Sequence, residues 1–146
     1  AGLVAITPAA GYVSGAAPIW IGLIAGVVCC YAVRLKLKFK FDDALDVVGV
    51  HFVGGLVGSL LIGFFADPEF FGGTFRKGIF YGGNIRLLAE QALANGSAML
   101  WSFGVTLAIM IVLKKTIGIR VDAEAETTGL HLALHSETAY HGGGLH

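Results

Sequence analysis

His51 sits inside a run from Val47 to Ala66 that holds no aspartate, glutamate, lysine or arginine. A neutral imidazole offers one hydrogen-bond donor and one acceptor. In a narrow apolar passage it could accept a proton from a small polar solute, or pass one along, without binding a cation too tightly to release it. That chemistry suits conduction of a small weak base. Ionisable groups inside lipid-crossing segments are costly, so each is a functional candidate. A plainer reading is a histidine that hydrogen-bonds a neighbouring helix and contributes packing alone. A third is a haem or quinone ligand in a membrane oxidoreductase, but haem ligation usually calls for a second axial histidine. The remaining histidines all lie at or beyond residue 131.

Two of those, His131 and His135, are four apart and could share a helix face with His141 and His146 nearby, which is one pattern for a metal site. A solvated or regulatory tail explains them equally, since polar termini tolerate histidines freely, and no metal and no cofactor is expected. The adjacent Cys29 and Cys30 lie in an apolar run and read as small packed hydrophobes. Ten basic and ten acidic side chains give a formal net charge of zero, with nothing to attract nucleic acid.

What positions His51 is a membrane architecture. Of the 146 residues 55% are apolar and 14% charged, and the mean hydropathy is +0.76. Ala1 to Val33, Val47 to Ala66 and Gln91 to Leu113 each lack any charged side chain. A helix needs roughly 20 apolar residues to cross the hydrocarbon layer, and soluble helices seldom stay uncharged so long. Many of the 22 glycines fall inside these runs, where they let helices approach closely in lipid. The start has no basic region and carries Pro8, so it does not read as a signal peptide.

These features divide the chain. Residues 1–10 read as the end of a preceding transmembrane helix, stopped at Thr7-Pro8. A first span is expected over 18–36, with Pro18 in its first turn, Trp20 at an interface and Gly22/Gly26 as its contact face. A second, over 43–66, carries His51; Asp42 or Asp43 could cap its start, with Asp43 and Asp46 as its helix-cap or structural residues. If that helix begins at Asp43, His51 lies about 12 Å along it, toward mid-membrane. Residues 67–84, rich in Phe and Gly, form an extracytoplasmic interfacial loop, 85–116 a long and tilted or protruding third span, and 117–146 a cytoplasmic tail. Seven basic residues flank the spans on one side and three on the other, which puts the C-terminus in the cytoplasm.

The stretch Ala1-Gly-Leu-Val-Ala-Ile-Thr-Pro-Ala-Ala-Gly-Tyr-Val-Ser14, then Asp42-Asp-Ala-Leu-Asp-Val-Val-Gly-Val-His51 with Gly54-Gly55, then Gly118-Ile-Arg-Val121, together resemble the Amt/Mep/Rh ammonium transporter family, bacterial Amt branch. In the tail, Gly129, Leu130, His135, Glu137 and Tyr140 resemble that family's C-terminal element, with His131 standing where aspartate is usual and Ser136 where glycine is. The resemblance covers essentially the whole chain. It implies an all-α bundle of eleven transmembrane helices, assembled as a homotrimer in the cell membrane. Each subunit of such a bundle has a narrow pore where two histidines from different helices meet. His51 matches the histidine of the tenth helix, and the partner on the fifth helix is not in this sequence. By the same resemblance Val47, one turn before His51, faces the pore as an apolar constriction; read from the residues alone it is equally a lipid-facing valine. The implied substrate is ammonium or ammonia, with no covalent catalysis and so no enzyme activity, the lipid bilayer as surroundings, and a PII-type regulatory protein as a possible partner at the cytoplasmic face. The chain would be the C-terminal part of such a transporter and not competent alone. The rival of another class is an ammonium-sensing or structural membrane protein that works through its tail.

Overall fold

The structure is a computed structural model that describes residues 1–129, and among these it is helical, with a single isolated β-bridge between Val13 and Ala66. Helix α1 runs Gly2–Ala9 and α2 Ala17–Phe39. A π-helical turn, Val47–Phe52, leads directly into α3, Val53–Phe65. A short α4, Pro68–Phe71, and a 3-10 turn, Ile79–Tyr81, precede the long α5, Arg86–Thr116, and a short α6, Ala123–Thr128. Among the described residues, three stretches are long and apolar enough to cross a membrane: Ala17–Phe39, Val47–Phe65 and Arg86–Thr116. The described residues fall into two compact units, one over Ala1–Trp101 and a second beginning at Ser102.

Several boundaries differ from the sequence expectation, each for a local reason. Helix α1 does not stop at Thr7 but takes Pro8 into its last turn. There the proline forfeits one backbone bond, and Thr7 turns its hydroxyl back to the Leu3 carbonyl at 2.7 Å. Helix α2 extends three residues past Lys36 to Phe39, where Lys40 enters the left-handed region at φ 54°. Lys36 and Lys38 in that last turn suit the negative end of the helix dipole. The second span starts at Val47 rather than at Asp43. The loop from 67 to 84 is partly helical, with the Asp67 carboxylate accepting the Phe70 N–H at 3.3 Å to start α4.

In the first unit the core is built of small side chains: Ala5, Ala9, Ala17, Ala25 and Ala66 are buried with Val13, Ile21 and Ile62. The stripe that α2 buries is Ala17, Ile21, Ala25 and Cys29, at the i, i+4 spacing of one helix face. The expected Gly22/Gly26 pair is turned one residue away from it, with Gly22 against Gly2 at the margin and Gly26 exposed. The closest approach is between α1 and α3, where a Cβ on Gly58 would fall 1.9 Å from the Ala5 carbonyl oxygen. Only glycine admits that approach. Outside this core, Tyr12 packs edge-on against Phe75 at 5.0 Å, and Ser14, buried, donates its hydroxyl to the Asp67 carboxylate. The Asp67 N–H in turn donates to the Tyr12 carbonyl at 2.8 Å, so the 11–16 loop is tied to the end of α3.

In the second unit, α5 continues to Thr116, and Arg120 grips the Glu126 carboxylate through two nitrogens at 2.5 and 2.8 Å. That hydrogen bond, aided by the guanidinium charge, holds the Glu126 carboxyl below the usual carboxylate range.

Candidate functional site

His51 lies in the π-turn, and its side chain is exposed in this chain. It opens onto a cleft of about 640 Å³ in the first unit, walled by Leu3, Val4, Thr7 and Pro8 of α1 and by Gly55 and Ser59 of α3, with Asn95 of α5. His51, Gly55 and Ser59 follow one another at four-residue steps, so imidazole, bare backbone and hydroxyl succeed each other along one side of the helix. Gly55 leaves the cleft open, since a Cβ there would meet nothing within 4 Å.

The polar end of the cleft is organised. The Ser59 hydroxyl lies 2.8 Å from Asn95 Oδ1 and 3.0 Å from the Leu56 carbonyl, and Asn95 Nδ2 donates to the Gln91 carbonyl at 2.8 Å. Asn95 was not singled out from sequence. Its signal was there, as an amide in the otherwise uncharged stretch Gln91 to Leu113.

The start of the π-turn is held by its acidic residues. Asp43 sits four residues before the first helical position and accepts the Val47 N–H at 2.7 Å and the Val48 N–H at 2.9 Å. Its two oxygens thus satisfy two of the donors that a helix start leaves without partners. Asp46 adopts φ 54° and pairs with Lys36. Because the helix begins at Val47, His51 is four residues into it, about 6 Å or less, and not about 12 Å. The π-turn itself carried no legible sequence mark. Backbone closure five residues apart widens the turn, so Val47 and His51 fall just short of one full turn instead of just past it. Val47 is exposed, and it does not line the cleft that His51 opens onto.

Of the tail residues, Gly129 ends α6 at φ 97°, its N–H donating to the Ala125 carbonyl at 3.0 Å. Leu130, His135, Glu137 and Tyr140, with His131, Ser136, His141 and His146, lie outside the described residues. Cys29 is buried, with its sulfur 3.9 Å from the Val50 carbonyl, while Cys30 is exposed, so only the first packs as the sequence suggested.

Residues 1–140 match the model of the Ammonium Transporter Family. An ammonium transporter of Mycobacterium tuberculosis (strain ATCC 25618 / H37Rv) is 50% identical over 144 residues, covering 96% of this chain and 30% of that protein. Ammonium transporter Amt1 of Archaeoglobus fulgidus is 42% identical over 140 residues, covering 96% of this chain and 35% of that one. The crystal structure of the Mep2 mutant delta442 from Candida albicans superposes with a TM-score of 0.70 at 35% identity, over 77% of this chain and 29% of that chain. The chain spans about a third of the length of the curated relatives it matches. A helical fold with three membrane-capable spans and a family match over nearly every residue agree: this chain belongs to the ammonium transporter family, as a multi-pass membrane protein.

Proposed function

We propose that this chain supplies one wall of a pore for ammonium or ammonia, with His51 as its working side chain. The supporting observation is the exposure of His51 beside a cleft whose near walls, Leu3, Val4 and Gly55, are apolar. A surface of that kind disfavours a hydrated cation while leaving the imidazole to exchange hydrogen bonds with a neutral amine. In this reading ammonium gives up its proton near the pore entrance. Ammonia then passes the imidazole, while the proton is carried separately or along the histidines. The rest of the pore, including a second histidine, comes from residues outside this sequence, and the chain conducts only as part of a longer transporter. Val47, exposed just short of one turn before His51 and outside that cleft, faces the pore at a separate level as an apolar constriction. The transporter works as a homotrimer in the plasma membrane with its C-terminus in the cytoplasm, where the tail meets a PII-type regulator.

The test is His51→Ala in a full-length transporter in which this chain replaces the matching segment of the Mycobacterium tuberculosis relative. Ammonium-selective uptake is expected to be abolished or to lose its preference over methylammonium. Unchanged rate and selectivity at equal protein abundance would show that the imidazole does not line the pathway. Ammonium-dependent partner binding by the tail, without measurable flux, would instead favour a sensor.

A further inference from the structure

We propose that Lys36 is the positioning residue for His51, fixing from α2 the turn on which the imidazole is carried. This rests on the pore role of His51 argued above. Of the four basic residues at the end of α2, Arg34, Lys38 and Lys40 are exposed, and Lys36 alone is turned partly inward. Its ammonium donates to the Asp43 carbonyl at 3.0 Å and pairs with the Asp46 carboxylate, the two side chains being only 24% and 33% exposed. Both partners belong to the turn that starts the π-turn. The same Asp43 carbonyl accepts the Asp46 N–H at 3.2 Å, while the Asp43 carboxylate holds the first two N–H groups of the π-turn.

The turn needs such a clamp. Asp46 is a non-glycine residue in the left-handed region, a conformation that costs about 1 kcal/mol or more and persists only where surrounding contacts over-determine it. A π-turn is likewise a rare local state. Helix α2 supplies the contacts as a stripe. Cys29, Val33 and Lys36 follow at i, i+4 and i+7, the spacing of one helix face. Cys29 lies against the Val50 carbonyl, and Val33 against Gly49, where a Cβ would come within 2.8 Å of the valine side chain. Lys36 closes the stripe at the Asp46 end. Two contacts are apolar or weak and orient nothing; Lys36 is the one that is charged and directional. Without it the Asp46 carboxylate loses its cation, the left-handed residue is free to relax, and His51 loses the direction in which it emerges beside Gly55.

The experiment uses the same full-length chimeric transporter, comparing Lys36→Met, Lys36→Arg and His51→Ala at measured membrane abundance. Lys36→Met is expected to shift the ratio of ammonium to methylammonium uptake about tenfold in the direction of His51→Ala, as a misplaced group does. Lys36→Arg, which keeps a donor and a charge, should restore the ratio to within about twofold. Hydrogen exchange of the purified transporter should quicken over residues 47–52 in Lys36→Met and not over 53–65. An unchanged ratio together with unchanged exchange overturns the proposal, as does uptake that falls only in proportion to protein abundance. If Lys36→Met does not reach the membrane, Asp46→Asn, which removes the carboxylate charge from the same pair and leaves only a neutral acceptor, is read by the same criteria. A His51→Ala variant with wild-type selectivity would sink the pore reading, whereas a defective His51→Ala beside a normal Lys36→Met would sink the positioning role alone.

Discussion

Asp43 shows how much a single side chain can do at a helix start. It lies outside the helix by sequence position, yet its carboxylate spans the intervening turn to reach the N–H groups of Val47 and Val48. Removing both bonds in Asp43→Ala should cost about 1–2 kcal/mol, the upper range for a lost cap. Asp43→Asn, which keeps one acceptor oxygen, should lose less. Thermal unfolding of the full-length transporter in detergent checks both, and equal midpoints for the alanine variant and the wild type would contradict the assignment. That an aspartate caps this helix was legible, because acidic residues before an apolar run are a start signal. The cap's reach was not, because the left-handed backbone at Asp46 turns the chain between cap and helix.

Among the elements, the contact of α1 with α3 is the one most dependent on a missing side chain. With the Ala5 carbonyl where the Cβ of residue 58 would stand, Gly58→Ala must push the two helices apart. The expected loss is about 1–3 kcal/mol from overpacking, or failure to assemble. It can be measured as a fall in the unfolding midpoint against the wild type, and retention of the midpoint would show that the helices are not in such contact. That glycines in this apolar run allow close helix approach was visible in the sequence. Which partner each glycine meets was not, since spacing describes one helix and contact needs two: Gly58 meets α1, Gly49 meets α2, Gly63 meets α5, and Gly55 meets nothing. On α2 the same limit holds: the buried stripe is Ala17, Ile21, Ala25 and Cys29, with Gly22 at its margin against Gly2.

For the whole molecule, the three spans and the asymmetry of basic residues predict that the ends of α2 and α5 face the cytoplasm, with residues 67–84 on the other side. Reporter fusions after Lys40, within the 72–78 loop and after Arg120 should read inside, outside and inside, and any other pattern would overturn the orientation. The sequence by itself determined the solvent of this protein, the number of its long apolar segments and its family, and it singled out the histidine for which the transport role is proposed. Each follows from composition, from uncharged runs of bilayer length or from residue order, which are properties of the chain in one dimension. Only the tertiary structure decided that His51 rides on a π-turn opening toward Ser59 and Asn95, that Val47 is not in that cleft, and that Lys36 reaches Asp43 and Asp46 at the start of the turn. Those outcomes depend on residues 7, 10 or 36 to 44 positions apart being brought within hydrogen-bonding or cleft distance, through the packing of α1, α2, α3 and the first turns of α5. Local propensity carries no information about such pairings, because the energy that selects them arises between helices rather than within one.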